Sequence, residues 1–455
     1  MNPPARADSD VNPPTSPPDS SVEASNPDPD LTPLEPRDGV PEVIDTPRGM
    51  TRVVDALARG TGPVGVDAER ASGFRYGQRA YLVQVYRNGG GTWLIDPIAL
   101  PDLSRLAEVL APLEWIIHAA SQDLPCLAEI GLRPQYLFDT ELAGRLLGRE
   151  RVGLGPLVAA ELGWHLEKGH GAADWSTRPL PIAWRRYAAL DVEVLPALRD
   201  ILAADLETEG KLSWAREEFD ALITAPPAPE RVDPWRRTSG IHAIRSRRGL
   251  AIVRGLWTTR DAVARERDIA PGRILTDAAI VAASATPPDS VQELSRMPGF
   301  SRGRAAGLKR IWWDAITAAQ AEPDATLPDL TLRGTGPPPP RQWASRDQQA
   351  AQRLIAAKSA LSSLSEQVNV PVENLGTPDA IRRVLWSPPD PPHHESIEAR
   401  LRESGLRTWQ LRLVTPILVE ACATDDEHRS TEPIDRMPTD PMRTDHMPID
   451  PEPSD

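Results

Sequence analysis

Cysteine is nearly absent from the 455-residue chain, which contains only Cys126 and Cys422. Two thiols cannot build a disulfide framework or a cysteine-ligated zinc site. Aromatic residues are also scarce, at 5% of the chain, yet 13 of them are tryptophan. Tryptophan serves both packed cores and stacking on nucleobases, so either use is open. No apolar stretch approaches the length of a membrane span. The N-terminus is proline-rich and acidic, without the basic-then-apolar order of a signal peptide. The expectation is a cytoplasmic protein without a membrane partner.

Proline is abundant, and the 49 prolines gather at the termini and in a few internal stretches. That distribution suggests compact units separated by linkers. Residues 1–45, rich in Pro, Asp and Ser, and residues 425–455, with repeated Met-Pro and Asp-Pro units, are expected to be disordered tails. Residues 224–232 and 321–342 are expected linkers, the second containing Pro337–Pro340. Three units remain, at 46–223, 233–320 and 343–424.

The formal net charge of −14 is concentrated in the tails. Residues 1–40 carry eight acids against two bases, and residues 424–455 carry ten against three. Within the nearly neutral body, residues 232–320 hold fifteen bases and eight acids, a net +7. A basic module in an acidic chain fits a polyanionic partner or a solvated charged surface.

In the first unit, Thr51–Leu57 has a helical pattern and Pro63–Glu69, Ala80–Tyr86 and Thr92–Ile95 read as strands. The glycine turn Asn88–Gly91 joins the last two. Helices are expected at Leu103–Leu110, Leu124–Ile130 and Thr140–Leu147. A longer helix, Arg185–Leu202, is interrupted by Pro196. Strands at Trp115–His118 and Leu137–Asp139 lie between the earlier helices. Three antiparallel strands followed by alternating strands and helices predict a mixed sheet covered by helices, an α/β fold. The two later units read as all-helical.

The chemistry begins with Asp67 and Glu69. Residues i and i+2 of a strand share a face, about 6.6 Å apart. Two carboxylates on one side of a buried strand repel each other, and a divalent cation with a preference for hard oxygen ligands relieves that repulsion. Asp123 follows His118-Ala119-Ala120-Ser121-Gln122, where a buried strand gives way to a helix. It is either a helix-cap acid or a second ligand position. Tyr187 and Asp191, at i and i+4, share a helix face. Gly89–Gly91 and Gly153-Leu154-Gly155 lack the spacing of a phosphate loop and read as turns.

Asp67-x-Glu69, Asp123 and Tyr187-x-x-x-Asp191 occur in this order within one domain's length. The set resembles the DEDD exonuclease superfamily, in the subgroup with tyrosine in its last motif, and within it the ribonuclease D family. Ala173–Leu180 and Leu82–Val85 add to the likeness, which covers roughly residues 45–220. The resemblance implies a ribonuclease-H-like fold and hydrolysis with two divalent cations, Mg²⁺ or Mn²⁺, and no small-molecule cofactor. It implies that Asp67 bridges both cations and that Glu69 and Asp191 complete the site of one. Asp123 holds the other, largely through water, and Tyr187 orients the attacking water. His118, Gln84, Trp175 and Arg178 are candidates for lining the substrate path.

Residues 233–320 resemble the HRDC module of that family and of certain helicases, which implies nucleic-acid binding. Arg245, Arg247, Arg248, Arg302, Arg304, Lys309 and Arg310 are its candidate phosphate contacts. Residues 343–424 loosely echo it, Asn369–Leu375 against Asp268–Leu275, until Pro388–Pro392 intervenes. The function expected is 3′→5′ exoribonuclease action on RNA with a single-stranded 3′ end, including tRNA-like processing, by a monomer. The alternatives are a DNA exonuclease with the same site and a catalytically silent RNA-binding scaffold.

Overall fold

The computed structural model describes residues 32–167, 169–331 and 336–429. The chain divides into two compact units, residues 1–332 and 333–455.

In the first unit, β1 (Thr32–Pro33) and β2 (Val43–Ile44) precede helix α1 (Pro47–Arg59). Three strands follow, β3 (Thr61–Arg70), β4 (Ala80–Asn88) and β5 (Gly91–Ile95). They form an antiparallel meander. The turn between β4 and β5 is Gly89-Gly90. Gly89 and Gly91 both have positive φ, which glycine adopts without steric cost.

Helices α2 (Ser104–Leu110), α3 (Leu124–Glu129) and α4 (Thr140–Leu146) then alternate with β6 (Glu114–Ile117) and β7 (Tyr136–Asp139). β6 adds in parallel to β3 and β7 in parallel to β6, giving the six-strand order β2-β5-β4-β3-β6-β7. The mixed sheet matches the expected α/β fold. Helix α5 (Leu154–Leu162) leads to β8 (Trp164–His165), and α6 (Ile182–Glu193), α7 (Leu195–Thr208) and α8 (Leu212–Thr224) complete the domain.

Pro196 does not interrupt one long helix. The break falls at Val194, and Pro196 sits in the first turn of α7, where its missing N–H costs nothing. Gly153 caps α5, so the segment read as a turn is a helix start.

Part of the expected N-terminal tail is ordered. β1 pairs with β8 and β2 with β5. Between them, the Arg37 N–H donates to Glu193 at 3.0 Å, and the Arg185 guanidinium donates to the Pro41 carbonyl at 3.1 Å. Arg185 also pairs with Glu42 at 2.5 Å, and Arg186 with Glu35 at 2.6 Å. Residues 32–44 thus form a strap along α6. Residues 1–31 lie outside the described residues.

A helical bundle completes this unit, with α9 (Arg247–Arg267), α10 (Pro271–Ile274), α11 (Asp277–Ala285), α12 (Val291–Leu294), α13 (Gly303–Ala306) and α14 (Lys309–Ala321). Trp312, Phe300 and Leu256 are among its fully buried residues. The first part of the expected 321–342 linker belongs to this bundle. Leu327 is buried in its core, and the Leu327 and Pro328 carbonyls accept from Arg247.

The second unit comprises α15 (Trp343–Arg346), α16 (Gln348–Val368), α17 (Val372–Leu375), α18 (Pro378–Trp386), α19 (His394–Glu403) and α20 (Thr408–Arg429). Its early elements repeat the first bundle at a constant offset, with Arg247 matching Gln348 and Ala285 matching Trp386, 101 positions apart. Each long helix ends on a left-handed residue, Asp268 at φ 47° and Asn369 at φ 49°. The likeness ends after α18. Residues 425–429, expected in a tail, continue α20, and 430–455 lie outside the described residues. No helix among the described residues is long and apolar enough to cross a membrane.

Candidate active site

Asp67 and Glu69 project from β3, an interior strand paired with β4 on one edge and β6 on the other. Beside them runs α6, carrying Tyr187 and Asp191. Gly65 permits the approach, because a Cβ there would stand 2.7 Å from the Val192 carbonyl oxygen. The backbones therefore meet, and carboxylate oxygens of Asp67, Glu69 and Asp191 come within 4.8 Å of one another.

Asp123 arrives by a different route. After β6 the chain turns through Ala119, a left-handed alanine at φ 58°, into a short 3₁₀ turn at Ala120–Gln122. Asp139, at the end of β7, clamps this turn. Its carboxylate accepts from the Ala119 N–H at 3.2 Å and the Ala120 N–H at 2.8 Å. It also caps α4 through the Glu141 and Leu142 N–H groups. Asp123 itself occupies the cap position of α3 without making a capping bond. Its carboxylate faces Arg70 at 3.5 Å instead.

Asp67, Glu69, Asp123, Tyr187 and Asp191 line a single pocket of about 400 Å³. His118, Arg70, the start of α5 and Leu166, Glu167, Gly169 and Gly171 help to complete the walls.

Without a cation, this cluster favours protons. Burial raises the pKa of Asp67, against the opposing hydrogen bond from Ala68 and the charge of Arg70. Burial also lifts Glu69 well above the ordinary carboxylate range, and the Asp67, Asp191 and Asp123 charges add to it. Asp191 is raised by burial and by Asp67, while a hydrogen bond from Tyr187 opposes the rise. Asp123 is pushed up to about 8, by burial and then by Asp67. Four crowded, desolvated carboxylates are a donor set that fits hard divalent cations such as Mg²⁺ or Mn²⁺. Asp67, Glu69 and Asp191 form the tight group, and Asp123 stands off on the Arg70 side.

Burial and the neighbouring carboxylates raise the Tyr187 hydroxyl above its ordinary value, so it stays protonated at neutral pH. His118 lines the pocket, with Nδ1 2.9 Å from the Thr140 hydroxyl. Burial depresses its pKa to about 4, leaving a neutral ring at pH 7.

Three of the candidate substrate-path residues stand elsewhere. Gln84 lies opposite Asp67 on β4, fully buried, and donates to the Asp67 carboxylate at 3.4 Å. It positions that acid and does not reach the pocket. Trp175 is also fully buried, 5.3 Å from the Trp184 ring and 6.4 Å from Tyr187, with its indole N–H on the His170 carbonyl. No face is left for a base to stack on. Arg178 is committed to Asp96 at 2.6 Å and to the carbonyls of Trp175, Thr177 and Tyr81.

Two of the phosphate contacts expected on the basic bundle are likewise committed within the protein. Arg247 binds the Leu327 and Pro328 carbonyls, and Arg248 binds Glu322, Ala319 and Asp324. These two arginines tie the bundle's last segment to α9. Arg245, Arg302, Arg304, Lys309 and Arg310 are exposed.

Sequence reasoning missed Asp139, Gly65 and Arg70. Arg70 carried a local signal, as the base directly following Asp67-x-Glu69, and Asp139 carried one only as the acid before a helix.

Comparison with known proteins gives the same reading. A 3′–5′ exonuclease family matches residues 41–207, and the HRDC domain matches 249–316. A family described as the 3′ to 5′ exonuclease C-terminal domain matches residues 336–422. Ribonuclease D of Gluconacetobacter diazotrophicus is 32% identical over 344 residues, spanning 71% of this chain and 86% of that protein. The crystal structure of a protein from Bifidobacterium adolescentis aligns with a TM-score of 0.80 at 38% identity, covering 86% of this chain and all of that one. RNase D of Escherichia coli, an exoribonuclease involved in structured RNA processing, shares the fold with a TM-score of 0.61 at 23% identity, covering 84% and 98% of the two chains. With an exonuclease domain followed by an HRDC domain and most of both sequences aligned with a ribonuclease D, this chain belongs to the ribonuclease D family of metal-dependent 3′–5′ exonucleases.

Proposed function

We propose that the protein removes nucleotides one at a time from single-stranded 3′ ends of structured, tRNA-like RNA, releasing 5′-nucleotides and using two divalent cations, Mg²⁺ or Mn²⁺. One observation carries the reading: four acids and a tyrosine from β3, α6 and the turn before α3 line one pocket.

Asp67, Glu69 and Asp191 would hold one cation, and Asp67 together with Asp123 the other. When bound, such cations neutralise phosphate charge and ease the ionisation of water. The protein's own part is placement. Gln84 fixes the Asp67 carboxylate, and Asp139 fixes the turn that delivers Asp123. The Tyr187 hydroxyl keeps its proton, so it orients the attacking water by a hydrogen bond and does not act as a base. His118, neutral and tied to Thr140, shapes the wall beside the substrate. Arg245, Arg302, Arg304, Lys309 and Arg310 supply phosphate contacts on the HRDC domain, which fix register without reading sequence.

The test uses 5′-labelled RNA with Mg²⁺ or Mn²⁺, on which each 3′ truncation keeps the label. The wild-type chain shortens it stepwise and Asp67→Ala does not. Equal activity of the two proteins removes the proposal. Matched RNA and DNA oligomers in the same assay separate a ribonuclease from a DNA exonuclease, since recognition of the 2′-hydroxyl decides between them.

A further inference from the structure

Strand β3 leaves the pocket at Arg70, and β4 returns at Ala80. The nine residues between them do not close a simple turn. They reach the HRDC bundle and dock on it. The Phe74 carbonyl accepts from the Ala270 N–H at 2.9 Å, and the Gly73 carbonyl accepts from Arg273 at 2.6 Å. The Arg273 guanidinium lies 4.0 Å over the Phe74 ring. Tyr76 packs against the bundle's core, and its hydroxyl donates to Asp261 at 3.0 Å.

Asp268, the residue that ends α9, is the hub. Its carboxylate accepts from the Tyr76 N–H at 3.3 Å and from Arg79 at 3.2 Å, and it lies 3.8 Å from Arg75. The cap itself does not require that charge. Asn369, its counterpart in the second bundle, takes the same left-handed conformation without a carboxylate.

The loop's other side faces the catalytic domain. Arg75 donates to the Ser176 hydroxyl at 2.9 Å. Ser176 adjoins Trp175, whose ring packs on Tyr187, and Phe74 joins the same apolar cluster. A continuous set of contacts therefore runs from Asp268 through Arg75 and Ser176 to the tyrosine of the pocket.

We propose that Asp268 is a positioning residue for the reaction. The HRDC bundle, through this latch on residues 71–79, holds Tyr187 and the end of β3 in place, so it contributes to turnover as well as to RNA capture. This rests on the exonuclease reading above.

The test is Asp268→Asn in the full chain, a change the left-handed cap tolerates. The substrate is a labelled trinucleotide RNA with Mn²⁺, too short to engage the basic face. The latch predicts that kcat falls by about tenfold while KM stays within about twofold, the mark of weakened transition-state placement. Asp268→Glu recovers part of the loss. Amide exchange of residues 174–187, read without substrate, speeds up in Asp268→Asn. Tyr76→Phe, which removes only the hydroxyl's bonds to Asp261 and Arg265, shows the same effects more weakly. Unchanged kcat on the trinucleotide, with or without a change in exchange, overturns the proposal. If the wild-type chain cleaves no RNA of any length, the exonuclease reading fails, and the exchange measurement alone then decides whether the latch exists.

Discussion

Gly65 on β3 and Val192 on α6 meet backbone to backbone, at a separation that leaves 2.7 Å between a hypothetical Cβ and the carbonyl oxygen. Neither atom can yield like a flexible side chain. Gly65→Ala therefore pushes α6, and with it Asp191, away from Asp67. Overpacking of this kind costs about 1–3 kcal/mol of stability. The expected result is a lowered Tm with a larger loss of kcat, about tenfold or more, since small displacements of positioned groups are costly in rate. Full activity in Gly65→Ala would show that the strand–helix distance is not what assembles the site.

Asp67 sits among three other carboxylates, and its charge helps to raise the pKa of each. Replacing it with asparagine removes charge from a crowded, desolvated cluster. In chelator at pH 8, Asp67→Asn is expected to be at least as stable as wild type. It should also lose the rise in Tm that Mn²⁺ gives the wild-type chain. Thermal unfolding with and without Mn²⁺ checks both halves, and an undiminished Mn²⁺ effect would remove Asp67 from the ligand set.

The pH dependence of the metal-free chain follows from the same cluster. Asp123 rises from 3.8 to about 8 on folding, so across that interval the folded state binds more protons than the unfolded. Stability from this group is therefore present at low pH and lost as pH climbs towards 8. His118 has the opposite sign. Its pKa drops from 6.5 to about 4, so the unfolded state binds more protons there and stability falls as pH drops through that range. Bound cations displace the cluster's protons, so their stabilising effect grows with pH. Unfolding curves at pH 5.5, 7 and 8, with and without Mg²⁺, test this. A Mg²⁺ effect that shrinks with rising pH contradicts it.

The basic face yields a prediction about salt. Substituting Arg302, Arg304 and Lys309 by alanine should weaken binding of long RNA and reduce the slope of log K against log salt by about 1–3, roughly one for each phosphate no longer neutralised. Arg247→Ala and Arg248→Ala act differently, because those arginines fasten residues 319–329 to α9. They lower the Tm and leave the slope alone. A smaller slope for Arg247→Ala would place it on the RNA.

The acids were legible because strand and helix periods bring Asp67 beside Glu69 and Tyr187 beside Asp191, and because their order matches a known set. What the sequence hid are relations between distant segments. Gly65 reads as one more strand glycine until α6 is packed against it. Asp139 reads as a helix cap, and its second pair of N–H donors, from Ala119 and Ala120, appears only when β6 and β7 align. Trp175 and Arg178 were misplaced because local sequence does not say which side of a loop faces solvent. Strands β2 and β8, two residues each, are too short to show any period. The 32–44 strap carries the same proline-rich, acidic composition as the residues before it, so composition could not mark where order begins.

The constant spacing of 101 between the two bundles has a genetic consequence. An in-frame deletion of one repeat length, its ends at matching positions anywhere from α9 to α11, would leave the helices in phase. The product would be a hybrid bundle with an unbroken frame. A junction before the end of α9 would carry Asn369 into the place of Asp268, and one after it would keep the aspartate. A single deletion could thus shorten the nuclease and, by the side of that junction alone, either retain or discard the carboxylate that grips the loop beyond β3.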